Sequence, residues 1–523
     1  MTRRAFLATA GSALLPFSGS SPALSPPSSP PPYAGSARRL GDPFRLGVAS
    51  GEPTSTGVVL WTRIAPRPLA EDGYGGMPPG DVDVEWQLAD DERFRQVIRS
   101  GQAVARRADG GSVHVEVESL QPGGEYFYRF RTAGQVSPVG RTLTAPAPGS
   151  LSAPLTFCAV SCAHYEHGYF TAYRRLTEQD PDLVVHLGDY MYEYAPGHYR
   201  AASGMVRRHT AGKCQTLTDY RRRHAQYKSD ADLQAAHAAA PWVVAWDDHE
   251  IENNWAGDHP GSPDVPGFGQ RKHAAMRAYY ENMPLRATSR PKNGTIHLYR
   301  RLAWGGLATF HVLDTRQFRD DQPCNDGIRP DCDVRLEQGR VLAGPAQLRW
   351  LDAGLRASRA RWDVLAQQIF LAQRDVQLGP GRDVLLDTWD GYTAERDRLL
   401  SGIVTAGTRN PVVLTGDIHT AYANTLLTNF DDPSSQRVGV ELVATSIASD
   451  GDGYHDPAGN AALRAENPHI AFVDQRRGYV LCRVTPDELR ADFRTLPYIT
   501  RKGAPATTAA GFTIPDRARS LDI

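Results

Sequence analysis

The chain has 523 residues, more than one hydrophobic core usually supports, so at least two structural units are expected. Its 58 basic and 59 acidic residues nearly cancel, which leaves no bulk attraction to nucleic acid or to an anionic membrane surface. Six cysteines are too few for a disulfide scaffold of this length.

At the N-terminus, Thr2-Arg3-Arg4-Ala5-Phe6-Leu7 precedes an apolar stretch from Ala8 to Phe17 that is too short and too rich in Gly and Ser to cross a bilayer. With the Pro/Ser-rich run Ser18 to Pro32 behind it, the segment 1–32 resembles a twin-arginine export signal and its processing region. No later segment approaches the ~18 apolar residues of a membrane helix. The expectation is a protein passed folded through the twin-arginine translocation machinery and then secreted, or kept in the periplasm or cell envelope.

From 42 to 147 the pattern is that of an all-β domain of immunoglobulin or fibronectin type. Alternating runs at Gly57–Thr62, Val82–Gln87, Ser112–Val117 and Glu125–Phe130 are separated by Gly, Pro and Asp turns at sandwich-like spacing. A Pro-rich hinge, Thr144 to Pro148, separates this domain from the rest of the chain.

In the third segment, 151–523, strand-like runs alternate with helix-like ones, which predicts an α/β domain. Predicted strands are Leu155–Ser161, Leu183–Leu187, Trp242–Ala245, Ala308–Leu313, Val364–Ala366, Val412–Leu414, Val440–Ala444 and Tyr479–Val484. Helical periodicity falls on Phe170–Thr177, Tyr220–Ala239, Gln270–Asn282 and Pro345–Ser358.

Several of these strands stop at residues that bind cations or move protons, which is how an open α/β sheet presents a site at its strand C-termini. Cys162 follows the first run, Gly188-Asp189 the second with Tyr192 three residues on, and Gly416-Asp417-Ile418-His419 the Val412 run. Singly these are weak signals, since an Asp leaving a strand also caps helices and a Cys at a strand end is often a small core residue. Trp246-Asp247-Asp248-His249-Glu250 crowds three carboxylates around one imidazole. Their repulsion calls for cations or hydrogen bonds, although an acidic solvent loop has the same composition. Together the four motifs point to a metal-dependent hydrolase.

These segments, with Asp42–Gly51, Gly188–Glu193, Trp246–Trp255, Leu313-Asp-Thr-Arg316 and Thr415–His419, resemble the PhoD family of alkaline phosphatases and phosphodiesterases, within the calcineurin-like metallophosphatases. The resemblance implies a metallophosphatase core, a mixed β-sandwich flanked by helices, behind the N-terminal β domain. It implies an iron and calcium centre, with Fe(III) held by Cys162, Asp189, Tyr192 and His419. Asp189 would bridge to a Ca²⁺ also bound by Asp248 and Asp417, and a second calcium would be held in part by substrate phosphate. Thiolate and phenolate suit Fe(III), and carboxylates suit Ca²⁺. Catalysis would be attack on phosphorus by metal-activated water or an oxo group, with His249 assisting the leaving group.

The implied activity is hydrolysis of phosphate monoesters and diesters by an exported monomer. A phosphodiesterase or phospholipase D-like enzyme acting on phospholipid or teichoic-acid-like substrates is the alternative, and a surface-binding protein with a vestigial site is a further one. Cys324 and Cys332 are placed to pair after export or to stay reduced, and Cys158, Cys214 and Cys482 are expected to be plain thiols. Arg316 is a candidate phosphate contact, whereas Arg221-Arg-Arg-His224 is expected to be a solvated helix face.

Overall fold

The structure is a computed structural model describing residues 41–262, 267–330 and 332–521. The twin-arginine segment lies outside the described residues.

Two sheets carry the architecture. One has nine strands in the order Thr507–Pro515, Glu488–Leu496, Arg477–Val484, Leu155–Val160, Leu183–His186, Pro241–Val244, Val48–Gly51, Val58–Arg63 and Ser112–Val117. The other has seven, in the order Arg300–Trp304, Ala308–Val312, Trp362–Ala366, Pro411–Thr415, Arg437–Val443, Ala421–Leu427 and Ile470–Asp474. The middle strands of each run parallel and the edge strands antiparallel. A parallel bridge between Ser161 and Ser446 joins the two sheets just past their strand ends.

Period-two alternation sorts the side chains into layers. Phe157, Ala159, Val185 and Val243 face Phe310, Val364, Leu414 and Leu442 in the layer between the sheets, where Phe157 and Phe310 meet edge-on at 5.4 Å. Cys158, Val160, Val184 and Val244 point the other way, under the helices Thr171–Thr177, Leu217–Lys228, Ala231–Ala239 and Phe268–Asn282. Leu365, Val413 and Val443 are covered by Pro345–Ala357 and Thr393–Thr405. This is the expected sandwich flanked by helices.

The N-terminal all-β region is divided between sheets. Val48–Gly51, Val58–Arg63 and Ser112–Val117 extend the nine-stranded sheet, and Val82–Ala89, Val97–Ala105, Glu125–Thr132, Gln135–Val136 and Gly140–Leu143 form a separate antiparallel sheet. Their apolar faces meet through Val58, Leu60, Val84, Leu88, Val113, Tyr128 and Phe130.

The single helix predicted over Tyr220–Ala239 is two. Thr216 and Asp219 form a capping box on Leu217–Lys228, and the Asp230 carboxylate starts Ala231–Ala239 by accepting the amides of Asp232 and Leu233. Arg221-Arg-Arg-His224 is not a solvated face, which corrects the sequence reading. Arg221, Arg223 and His224 are buried, with Arg221 paired to Glu281 at 2.6 Å and Arg223 donating to the Tyr192 and Gly212 carbonyls. A run of cations on a helix reads as solvent-facing only when no buried carboxylate or carbonyl waits opposite, and that partner lies 60 residues away.

Candidate metal centre

The candidate residues leave their strands through abrupt turns. Cys162 follows Leu155–Val160, Asp189 follows Leu183–His186, and Asp417 and His419 follow Pro411–Thr415. All four have left-handed backbone, with φ of 58°, 56°, 67° and 54°. Non-glycine residues adopt this at a cost of roughly 1–2 kcal/mol each, so the surrounding fold must hold them there. Glycine precedes both aspartates for a spatial reason. A Cβ on Gly188, itself at φ 117°, would lie 2.5 Å from Asp247 Cβ, and one on Gly416 would lie 2.7 Å from Ser161 Cβ.

These turns converge. Cys162, Asp189 and His419 bring one donor atom each within 4.8 Å of one another, as do Asp189, Asp248 and His249, so Asp189 belongs to both groups. Tyr192 Oη lies 3.0 Å from both Asp189 Oδ2 and His419 Nε2. The Cys162 thiol donates weakly to the Asp417 carbonyl at 3.7 Å. Asp417 is partly buried, and its carboxyl is influenced by Asp247, Asp387 and Asp248. Cys162, Asp189, Tyr192, Asp248, His249 and His419 are thus brought together, whereas the Asp417 carboxylate is in neither group and Asp417 meets the Cys162 thiol through its carbonyl. One flank has thiol, phenol and imidazole around Asp189, and the other has carboxylates.

The electrostatics mark the region as one built to receive positive charge. Burial, and then the Asp248 charge, raise Asp189 well above the ordinary carboxylate range; burial and then Asp247 do the same to Asp417. Asp247 is pushed up to about 7 by burial in spite of Arg316 beside it. Burial and the nearby Asp189 push Cys162 and Tyr192 up as well. Cations placed among these groups would restore their ionised forms, so the donor set fits a hard cation on the carboxylate flank and a softer-ligated one on the other.

His249 stands beside Asp189 and Asp248 and has partners of its own. Its Nδ1 is held at 2.9 Å by buried Glu193, its amide donates to Asp248 Oδ1 at 2.8 Å, and its ring packs 4.1 Å from that of Tyr192. A cavity of about 430 Å³, lined by Arg200, His419, Asp450, Tyr454 and Arg477 among others, opens beside His419.

Residues 157–493 match the PhoD-like phosphatase family, and residues 29–146 match the PhoD-like phosphatase N-terminal domain. The chain belongs to the PhoD-like phosphatase family. It is 49% identical over 471 residues to alkaline phosphatase D of Bacillus subtilis (strain 168), covering 90% of this chain and 80% of that protein. A solved structure of PhoD superposes with a TM-score of 0.90 at 47% identity, over 94% of this chain and 93% of that one. A purple acid phosphatase from yellow lupin (Lupinus luteus) seeds, with a TM-score of 0.53 and 13% identity over 90% of this chain and 73% of that one, shares the fold. This PhoD-like protein is a metal-dependent phosphoric ester hydrolase of the alkaline phosphatase type.

The groups that hold the site in place were not all assigned that role from sequence. Glu250 accepts the amides of Asp247, Asp189 and Tyr190 at 2.9, 3.2 and 2.5 Å, tying two loops to one buried carboxylate. Asp387 forms a bidentate pair with Arg316 at 2.9 and 2.7 Å. Arg316, read as a candidate phosphate contact, is fully buried between Asp387 and Asp247 and shapes the site from behind. Asn254 donates its amide to Asp248 at 2.7 Å and its side chain to Asp326 at 2.6 Å, in the loop closed by the Cys324–Cys332 disulfide. No local signal announces Asp387, whereas Glu250 is one of the three crowded carboxylates of the Trp246–Glu250 motif. Asn254 belongs to the Glu252–Asn254 segment whose place directly after the His249 motif suggests that it reaches the residues around the ligands, and its bond to Asp248 agrees with that.

Proposed function

We propose that the chain is an exported alkaline phosphatase that hydrolyses phosphate monoesters and diesters at an Fe(III)–Ca²⁺ centre. The observation that carries this reading is the sharing of Asp189 between two donor groups, one with Cys162 and His419 and the other with Asp248 and His249. Cys162, Tyr192 and His419 offer thiolate, phenolate and imidazole, which favour Fe(III), while Asp248 and Asp417 offer only oxygen, which favours Ca²⁺. Bound cations supply Lewis-acid polarisation of the phosphoryl oxygens and acidify the attacking water.

The chain's own residues supply the rest. His249 is the proposed general acid: Glu193 occupies Nδ1 and leaves Nε2–H to donate its proton to the alcohol oxygen as the P–O bond breaks. Burial opposes protonation of this imidazole, but the charges of Asp248, Asp189 and Glu193 outweigh it and raise His249 well above its ordinary value. Cations would neutralise Asp248 and Asp189, and Glu193 is then the carboxylate that keeps the proton on the ring. Arg316 and Asp247 brace the carboxylate flank.

For export, the support is the Arg3-Arg4 segment with its apolar follow-on, and the Cys324–Cys332 pairing, which suits an oxidising compartment. No helix among the described residues is long and apolar enough to cross a membrane.

The test combines metal analysis of the purified protein with rates on 4-nitrophenyl phosphate and bis(4-nitrophenyl) phosphate at alkaline pH with calcium. Iron and calcium in the protein with turnover of both esters are expected. Zinc or manganese in place of iron would overturn the metal assignment, and inertness toward the diester would confine the enzyme to monoesters.

A further inference from the structure

Two adjacent residues outside every motif read from the sequence reach the Cys162 flank from behind. Ser449 and Asp450 lie on the turn after strand Arg437–Val443, whose Ile447 and Ala448 amides donate to the Ser161 and Cys162 carbonyls. Ser449 Oγ is fully buried, sits 2.7 Å from Tyr192 Oη and 3.0 Å from the Cys162 carbonyl, and accepts the His164 amide. Asp450 accepts from His419 Nδ1 at 2.7 Å and from the Tyr199 hydroxyl, while its own amide donates to His167 Nδ1 at 3.0 Å. Its backbone is left-handed, at φ 64°.

The hydrogen-bond inventory around these groups is restrictive. A neutral imidazole has one N–H, and a carboxylate only accepts, so the Asp450 contact places the His419 proton on Nδ1 and makes Nε2 a lone pair. That lone pair is 3.0 Å from Tyr192 Oη, which also has Asp189 Oδ2 at 3.0 Å and Ser449 Oγ at 2.7 Å. One phenolic proton cannot serve both acceptors. Ser449 Oγ, held between the Tyr192 hydroxyl and the Cys162 carbonyl, is the neighbour that fixes where the tyrosine oxygen sits.

We propose that Ser449 and Asp450 are positioning residues of this flank: Asp450 holds the proton on His419 Nδ1 so that Nε2 presents its lone pair, and Ser449 fixes the Tyr192 hydroxyl oxygen through the 2.7 Å hydrogen bond between them. The inference rests on assigning Tyr192 and His419 to the metal centre. A histidine ligand oriented by a carboxylate on its far nitrogen is a recurrent means of tuning metal affinity. Here it is coupled, through consecutive residues of one turn, to a hydrogen bond on the tyrosine.

The first experiment needs no metal. In metal-free protein with ¹⁵N-labelled histidine, the His419 ring signals are assigned by their loss in His419→Gln. The Nδ1–H tautomer is expected in the unmodified chain and the Nε2–H tautomer in Asp450→Gly, a change that the left-handed φ at this position accommodates. The Nε2–H form in the unmodified chain, or an unchanged tautomer in Asp450→Gly, overturns the Asp450 role. Tyr199→Phe, which keeps the carboxylate, should retain Nδ1–H and separates loss of the acceptor from general loosening.

In iron-loaded protein, Asp450→Gly should weaken iron binding by about 10–100-fold and leave calcium binding unchanged. Ser449→Ala should keep iron and move the tyrosinate-to-iron absorption band, because the tyrosine oxygen loses the hydrogen bond that fixes it. An unmoved band removes the Ser449 role. Absence of iron from the unmodified protein would defeat the iron assignment, while the tautomer result would still decide the role of Asp450.

Discussion

Arg316 offers a quantitative test of how the carboxylate flank is held. It is fully buried, with Nε 2.6 Å from Asp247 Oδ1 and its two Nη atoms 2.9 and 2.7 Å from Asp387. Arg316→Met keeps the aliphatic volume and removes the charge. Breaking a buried pair by deleting one partner costs about 3–5 kcal/mol, mostly through the charge left behind. Asp387 is not stranded, because Arg319 Nη1 lies at 3.1 Å and Gln322 donates at 2.6 Å. The loss therefore falls on Asp247, whose Oδ2 has no hydrogen-bond partner. Burial already pushes Asp247 up to about 7 with Arg316 in place, so without Arg316 it takes up a proton instead of remaining a bare charge. That escape puts the cost at the lower end, about 3 kcal/mol. With an unfolding entropy of about 2.1 cal/mol/K per residue, a chain of 523 residues should lose about 3 °C in Tm. The assay is calorimetry of the metal-free protein at pH 8, for Arg316→Met, Asp247→Asn and the double variant. The double variant should recover most of the loss, since an amide at 247 needs no counter-charge. An unchanged Tm for Arg316→Met, or a double variant no better than the single, would refute the reasoning.

Cys162→Ser should lower iron content while calcium stays, as measured by elemental analysis; unchanged iron would remove Cys162 from the ligand set. His249→Ala should reduce kcat by about 10²–10⁴-fold with both metals retained, and loss of metal in that variant would make its role structural. Acid stability probes His469, which is buried beside Phe430 and pushed down to about 4 by burial despite its hydrogen bond to the Gln373 carbonyl. An unfolded imidazole takes up its proton near pH 6.5, so this group's contribution is complete above that value and is lost as pH falls from about 6.5 toward 4. The stability gap between the unmodified chain and His469→Gln, read from urea midpoints, should therefore narrow by about 2 kcal/mol between pH 7.5 and 5; a constant gap would refute the buried neutral state.

The central strands were legible because burial on both faces gives β-branched apolar runs, and Leu155–Val160, Leu183–His186, Pro241–Val244 and Pro411–Thr415 lie within a residue or two of their predicted spans. The antiparallel edge strands were less so. Thr507–Pro515 is mostly exposed, and Glu488–Leu496 mixes charges with apolar residues because one face meets solvent. Thr393–Thr405 went unseen for a different reason: Glu395 and Arg396 are buried within it, so its inward face reads as polar. Glu395 there accepts the amides of Leu342 and Ala343, and Arg396 pairs with Asp390 at 2.6 Å.

The site divides along the same physical line. Cys162, Asp189, Asp417 and His419 could be read because each is tied by a few covalent bonds to the end of a central strand, and the parallel strands within each of the two sheets deliver their C-terminal ends to the same side. The residues that hold them come from elsewhere in the chain. Arg316 meets Asp247 across 69 positions and Ser449 meets Tyr192 across 257. Arg316 is marked by its Leu313-Asp-Thr-Arg316 motif but not for this role, and nothing near Ser449 marks it, because what each satisfies is a buried charge or hydroxyl that exists only once the two sheets are joined. The bridge between Ser161 and Ser446 makes that joint, and it sits one residue from Cys162 on one strand and three from Ser449 on the other. The contact that closes the fold is therefore the same one that brings Ser449 and Asp450 to Tyr192 and His419. A substitution that disturbed it should loosen the Cys162 flank well before it unfolds either sheet.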